Sequence, residues 1–263
     1  MMKSEESIKL SVVILTYNEE KNIQRCIESV LDIADEIVVV DSFSTDDTKQ
    51  ICSNYPNIKF IEHKFEGYIE QKNYALTQAS NDYIFSLDAD EAPDKILIES
   101  IKGIKNNWQS SGYSMNRFTN YCGKWIKHCG WYPDVKLRIF DRRLGSWTGI
   151  NPHDVYMFSD SDMQPIHLKG DILHYSYYSI SQHIQQVDNF TNINSREAFN
   201  KGKNVSVFGI IFRTVWKFFR DYIIKLGILD GYYGFVISAI SSFATFSKYV
   251  KLKELNKTKQ LKS

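Results

Sequence analysis

The stretch Tyr83-Ile84-Phe85-Ser86-Leu87-Asp88-Ala89-Asp90-Glu91 constrains this chain more than any other. A mostly apolar run, the pattern of a strand buried on both faces, ends in two carboxylates one residue apart. In an open α/β sheet, ligands bind at the carboxyl ends of the strands. Residues i and i+2 of an extended segment point the same way, so Asp88 and Asp90 are expected to face one point. Two carboxylates so placed repel, and a divalent cation relieves the repulsion. Mg²⁺ or Mn²⁺ suits such oxygen ligands and keeps positions open for phosphate oxygens. The competing reading is an acidic helix start ahead of Pro93.

The same pattern recurs upstream. The apolar run Leu10–Leu15 ends at Thr16-Tyr17-Asn18-Glu19-Glu20, and Ile23, Cys26, Ile27, Val30 and Leu31 follow at helix spacing, with Asn18 as the expected N-cap. A second run, Glu36–Val40, ends at Asp41-Ser42-Phe43-Ser44, and a shorter strand is expected at Ile58–Ile61. In the segment Gly67–Leu76, Ala75, Leu76 and Ala79 suit a buried helix face, and Gln71 and Lys72 lean towards the strand ends. Strand alternating with helix predicts an α/β fold, a mostly parallel sheet flanked by helices with right-handed crossovers. Polar clusters at three strand ends on one sheet edge make a cleft. No Gly-x-Gly-x-x-Gly follows the first strand and no Gly-Lys-Ser/Thr loop occurs, so dinucleotide-binding and P-loop enzymes are disfavoured.

Four segments in order, Ser11-Val-Val-Ile-Leu-Thr-Tyr-Asn-Glu-Glu20, Val40-Asp-Ser-Phe-Ser-Thr-Asp-Asp-Thr48, Gln71-Lys-Asn-Tyr-Ala75 and Leu87-Asp-Ala-Asp-Glu91, resemble the family 2 glycosyltransferases of the GT-A fold. The resemblance implies a nucleotide-sugar site built from Thr16, Tyr17, Glu19, Asp41, Lys72, Asp88, Ala89 and Arg138. Thr16, Tyr17 and Glu19 would line the base and ribose pocket, Asp41 would hydrogen-bond the base, and Lys72 would approach the nucleotide. Asp88 and Asp90 would be the metal-binding Asp-x-Asp, holding the Mg²⁺ or Mn²⁺ that bridges the diphosphate. The position of Phe43 is usually Gly in that family.

Ile96–Trp108 reads as a helix and Lys136–Phe140 as a strand. Rings interleaved with polar residues between Asn120 and Asp134, and again at Ser146–Val155, suit a sugar-binding surface; the alternative for Trp125 and Trp147 is a minor aromatic core. Gly130-Trp-Tyr-Pro-Asp134, Leu137-Arg-Ile-Phe140, His153-Asp154 and Leu173-His174-Tyr175 resemble the lipopolysaccharide and lipooligosaccharide inner-core β-glucosyltransferases, which move glucose from UDP-glucose to a core heptose. That resemblance implies an inverting reaction on a lipid-linked or core oligosaccharide acceptor. The base that takes the acceptor proton is then Asp154 or Asp134, with Asp154 favoured. His153 would be a third metal ligand or an acceptor contact, and Arg138 would pair with the diphosphate. The related enzymes carry Glu where this chain has Asp154.

The charge divides unevenly. Up to Asn200 there are 20 Lys and Arg against 28 Asp and Glu; from Lys201 onward there are 12 against 3. Val207–Leu229 mixes aromatic and aliphatic residues with Arg213, Lys217, Arg220 and Lys225, as an interfacial helix does. Gly231–Ser247 carries no charge but, at 17 residues, falls short of a usual span. The expected organisation is a GT-A domain over 1–200, with a nucleotide-sugar half 1–110 and an acceptor half 111–200, and a basic, membrane-associating helical extension over 201–263. An anionic membrane surface, not nucleic acid, is the expected partner. The opening Met1–Glu6 is polar and acidic rather than a signal peptide, so a cytoplasmic place on the inner membrane face is expected. Cys122, His128 and Cys129 match no standard zinc spacing. The rival functions are a nucleotidyltransferase, which would carry a Gly-rich loop after the first strand, and a non-catalytic glycan-binding protein.

Overall fold

The computed structural model describes residues 7–150 and 153–260, the side chains of His153 and Gln260 excepted. The chain forms two compact units, and each is described by itself.

The first unit runs to Arg117 and resumes at Asp134–Tyr175. Its strands are β1 (Leu10–Thr16), β2 (Glu36–Asp41), β3 (Ile58–Glu62), β4 (Tyr83–Asp88), β5 (Glu91–Pro93), β6 (Gly112–Tyr121), then, past the two-residue β7 (Lys124–Trp125), β8 (Asp134–Asp141), β9 (Gly145–Ile150), β10 (His153–Phe158) and β11 (Ile166–Tyr177). Its helices are α1 (Ile23–Val30), α2 (Thr48–Ser53), α3 (Tyr68–Gln78) and α4 (Lys95–Asn106). Among the described residues the sheet order is β3-β2-β1-β4-β8-β6-β11-β5, and β9 and β10 form a separate antiparallel pair.

The continuous apolar runs arise because both sheet faces are covered. On one face Val12, Ile14, Phe85 and Leu87 meet Cys26, Ile27 and Val30 of α1 and Leu97 and Ile101 of α4. On the other, Val13, Val38, Val40 and Ile84 meet Ala75 and Leu76 of α3 with Phe140, Trp147 and Tyr156. The α/β class is as the sequence predicts, but the parallel part is confined to β3-β2-β1-β4. β8 pairs antiparallel with both β4 and β6, and β5 with β11. The polar and apolar residues alternate at Lys136–Phe140, although Arg138, Ile139 and Phe140 are all buried.

Two local expectations change. Pro93 does not open a helix: it ends the edge strand β5, where its missing N–H leaves no ladder bond unmade. α4 starts two residues later, with the Asp94 carboxylate accepting from the Leu97 N–H at 2.7 Å. Asn18 is not the cap of α1 either, since that helix begins at Ile23 with Asn22 at the cap position.

The second unit joins Phe118–Pro133 to the chain from Ser176 onward, with α5 (Ile180–Asn200), α6 (Val207–Phe219) and α7 (Gly231–Gln260). Tyr121, Ile126, Cys129 and Ile237 form its core, with Trp131, Tyr177 and Tyr233 packed around them. The Lys124 ammonium donates to the Asp230 carbonyl at 2.5 Å, and the His128 N–H to the Asp230 carboxylate at 2.8 Å. These bonds tie 118–133 to the C-terminal helices, and α5 packs on α7, so this unit is not cut at residue 200.

Candidate active site

The site residues that can be placed lie in the first unit. At the ends of β1 and β2 the backbone is laced together. Asn18 and Phe43 both adopt the left-handed region, at φ 54° and 61°. The Asn18 N–H donates to the Ser44 hydroxyl at 2.8 Å, and its side-chain oxygen accepts from the Thr45 N–H at 2.8 Å. The Glu19 N–H donates to Thr48 Oγ1 at 2.9 Å. The positive φ at Phe43 is the conformation glycine adopts without strain, which accounts for the glycine usual in the resembling enzymes. Asp41 is fully buried, and its carboxylate accepts from the Ser44 N–H at 2.8 Å and from the Ser44 hydroxyl. It therefore fixes the loop after β2. Thr16 is buried with an unpartnered hydroxyl, while Tyr17 is exposed. Gln71 of α3 donates to Ser42 Oγ at 3.1 Å and pairs with His63.

Asp88 and Asp90 have different partners. β4 ends at Asp88 and a turn follows, so the i, i+2 rule for extended chain does not reach Asp90. One Asp88 oxygen lies 2.9 Å from Arg138 Nη2 and the other 3.5 Å from Lys72 Nζ. Burial alone raises the Asp88 carboxyl, but Lys72 and Arg138 outweigh it and hold the group well below the usual carboxylate range. The protein's own cations thus neutralise Asp88, and the repulsion inferred from the sequence is already relieved there. Ala89 is buried, its N–H donating to the Leu15 carbonyl at 2.9 Å.

Asp90 turns instead to His174 on β11, with 3.1 Å between Nε2 and the carboxylate. Burial, and then the charge of Asp90, push Glu19 up to about 7. Among the described residues no three His, Cys, Asp or Glu side chains are grouped to hold a metal. A cation that takes one carboxylate from protein and the rest from phosphate and water suits Asp90.

α3 delivers Lys72 and Asn73 to the β9–β10 pair. Asn73 brackets Trp147, donating to its carbonyl at 2.9 Å and accepting its N–H at 3.0 Å. Lys72 Nζ then lies 2.6 Å from Asp154 and 4.5 Å from the centre of the Trp147 ring. Lys72 is only 5% exposed, so it belongs to the site and not to a solvated helix face. Trp147 is buried in the core beside Phe140 and Tyr156, where it cannot stack on a free sugar. Asp134 is gripped by Arg117 at 2.8 Å and Lys136 at 3.0 Å. Burial raises its carboxyl, but Arg117 and Lys136 outweigh that and lower it. The His153 side chain lies outside the described residues, so its expected ligand role has no geometry here.

Two residues were not singled out by sequence reasoning. Glu91 is buried, accepting the Asp88 N–H at 3.0 Å and Arg138 at 2.9 Å, so it anchors the guanidinium that holds Asp88. His174 sat in a recognised motif, but nothing in its spacing tied it to Asp90, which lies 84 positions away along the chain.

Charged side chains gathered at the carboxyl edge of an α/β sheet, with carboxylates on β4, its following turn and β10, occupy the place where enzymes of this fold class bind their ligands. The family model for glycosyl transferase family 2 matches residues 11–158, and the chain belongs to that family. It is a glycosyltransferase. An uncharacterised glycosyltransferase of Rickettsia typhi is 32% identical over 94% of this chain and 88% of its own length. The lipopolysaccharide core biosynthesis glycosyltransferase LpsC of Rhizobium meliloti is 27% identical, over 92% of each chain. Among solved structures, S. aureus TarS 1–349 is 15% identical with a TM-score of 0.44, covering 97% of this chain and 92% of that one.

Proposed function

We propose that the chain transfers a hexose, glucose first among the candidates, from a UDP-sugar with inversion to a cell-surface glycolipid acceptor such as lipopolysaccharide core heptose. The name of LpsC, similar over nearly the whole chain, supports the acceptor class. The observation that carries the reaction is the Lys72 bridge between Asp88 and Asp154. It places a carboxylate on β10 beside the end of the strand that the family resemblance assigns to the donor.

Asp154 takes the proton of the acceptor hydroxyl as that oxygen attacks the anomeric carbon. Lys72 fixes the orientation of Asp154, and Lys72 and Arg138 set positive charge where negative charge grows on the departing nucleotide. Thr16, Tyr17 and Glu19 border the base and ribose, above the loop that Asp41 fixes. Asp90, with His174 beside it, would hold Mg²⁺ or Mn²⁺ together with phosphate oxygens and water. When bound, the cation supplies charge to the diphosphate as a Lewis acid.

The test offers UDP-glucose, UDP-galactose, UDP-N-acetylglucosamine and GDP-mannose with Mn²⁺, with Mg²⁺ or with chelator, and follows release of the nucleoside diphosphate. Metal-dependent UDP release from one hexose donor is expected, with loss in Asp90→Ala. Full activity of a folded Asp90→Ala protein, or release unaffected by chelator, would sink the assignment.

A further inference from the structure

The second unit carries a surface made of none of the residues of the candidate site. Towards the protein, α6 presents Ile210, which is buried, and Thr214, whose carbonyl accepts from the Ser242 hydroxyl of α7 at 2.7 Å. The opposite side is apolar as well. Phe208, Ile211, Phe212, Val215, Trp216 and Phe219 are all exposed, Phe208 at 77% and Val215 at 64%. At 3.6 residues per turn these six fall within an arc of about 140°. A surface helix of a water-soluble protein shows polar residues there. Arg213 and Arg220 lie along one edge of the arc, and Thr214 and Lys217 fall outside it.

The acids nearby are withdrawn. Asp221 and Asp230 are both buried, and Asp221 is paired with Lys217 at 2.6 Å and with Arg220 at 3.0 Å. The charge that this segment shows to its surroundings is therefore basic, in keeping with 12 Lys and Arg against 3 acids from residue 201 onward. A second copy would bring the same excess of positive charge against itself, whereas an anionic lipid surface complements both the apolar arc and its basic flank.

We infer that α6 lies in the plane of an anionic bilayer surface with its Phe208–Phe219 arc sunk among the acyl chains. No single helix among the described residues is long and apolar enough to cross a membrane. α6 with its continuation to Ile224, and the segment from Gly227, meet at a 69° bend. Leu226 in the linker and Gly231 at the start of α7 both take positive φ. α7 buries Ile237, Ser238, Ser242 and Leu252 within the unit, so it is not lipid-facing all round. A helix lying on the surface, docked on α7 from the protein side, accounts for both the bend and the burial.

This inference stands apart from the transferase reading, because its readout is binding and not catalysis. The full chain is mixed with vesicles of phosphatidylcholine alone or of equal parts phosphatidylcholine and phosphatidylglycerol, and cosedimentation is measured. Binding is expected to be at least about tenfold tighter on the anionic vesicles and to weaken with salt. The triple variant Phe208→Ser, Phe212→Ser, Trp216→Ser should lose at least about tenfold in affinity while keeping its circular dichroism, since these side chains are exposed and their ring contacts, Phe208 with Phe212 and Trp216 with Phe219, stay within α6. An alkaline carbonate wash should release the bound parent protein. Equal binding by the triple variant, retention through the wash, or absence of vesicle binding with self-association that the variant abolishes would each overturn the inference.

Discussion

Lys72 Nζ lies 2.6 Å from the Asp154 carboxylate and 3.5 Å from Asp88, so one buried ammonium serves both the end of β4 and β10. Taking the ammonium away leaves Asp154 without its ion pair where it is largely buried. Breaking a buried pair from one side costs about 3–5 kcal/mol. Lys72→Met is therefore expected to lower the thermal midpoint and to reduce kcat by at least about a hundredfold, the scale for losing one charge-stabilising donor. Thermal denaturation and steady-state UDP release check the two effects. An unchanged kcat would remove Lys72 from the machinery.

The two candidate bases separate by their partners. Asp134 is held by Arg117 and Lys136, and its lowered carboxyl is a poor proton acceptor. Asp154→Asn is expected to cut transfer by about 10²–10⁴-fold, the usual worth of a positioned base, with UDP binding kept. Asp134→Asn should cost less than about tenfold, since it removes a partner of Arg117 and not the proton acceptor. Calorimetric UDP binding beside kcat distinguishes them. The reverse order would move the base to Asp134.

The parallel half of the fold was legible because its strands are buried on both faces and leave apolar runs. Leu10–Leu15, Glu36–Val40 and Tyr83–Leu87 each extend by one residue in the structure, to Thr16, Asp41 and Asp88. The antiparallel half was less legible: β11 reads as neither alternating nor apolar, and it brings His174 to Asp90 through pairing with β5. The strand-end pattern and the family resemblance named the acids and also Lys72 and Arg138, but assigned these two cations to the nucleotide and not to Asp88. Arg138 and Lys72 come from β8 and α3, and only tertiary contact reveals that both serve Asp88. Trp147 was ambiguous for a similar reason, because a ring beside polar residues reads alike whether it faces a sugar or, as here, the core.

The bend ahead of α7 depends on one close approach. A Cβ on Gly234 would collide with the carbonyl oxygen of Gly227, and a Cβ on Gly227 would in turn meet the Asp221 carbonyl oxygen and Cys129 Sγ, each at 2.8 Å. Backbone oxygen cannot swing aside as a flexible side chain can. Gly234→Ala is expected to destabilise the protein by about 1–3 kcal/mol or more, as overpacking does. Gly202→Ala, with nothing within 4 Å of its Cβ but a φ of 69°, should cost about 1–2 kcal/mol through backbone strain alone. Chemical denaturation of the two variants side by side checks the ranking.

Acid should weaken the second unit through His183. This residue is 5% exposed among Tyr121, Trp131 and Tyr177, with the Tyr121 hydroxyl 3.0 Å from its Nδ1. Burial pushes its pKa down from 6.5 to about 4. Between those values the unfolded chain binds the proton and the folded one does not. The stabilisation is therefore complete above pH 6.5 and declines as pH falls towards 4, by roughly 3 kcal/mol at most. His183→Leu cannot take up the proton. It should lose the tyrosine contact at every pH and show a flatter stability profile between pH 6.5 and 4. Urea titrations across that window measure the slope, and an equally steep decline in His183→Leu would assign the acid sensitivity to other groups.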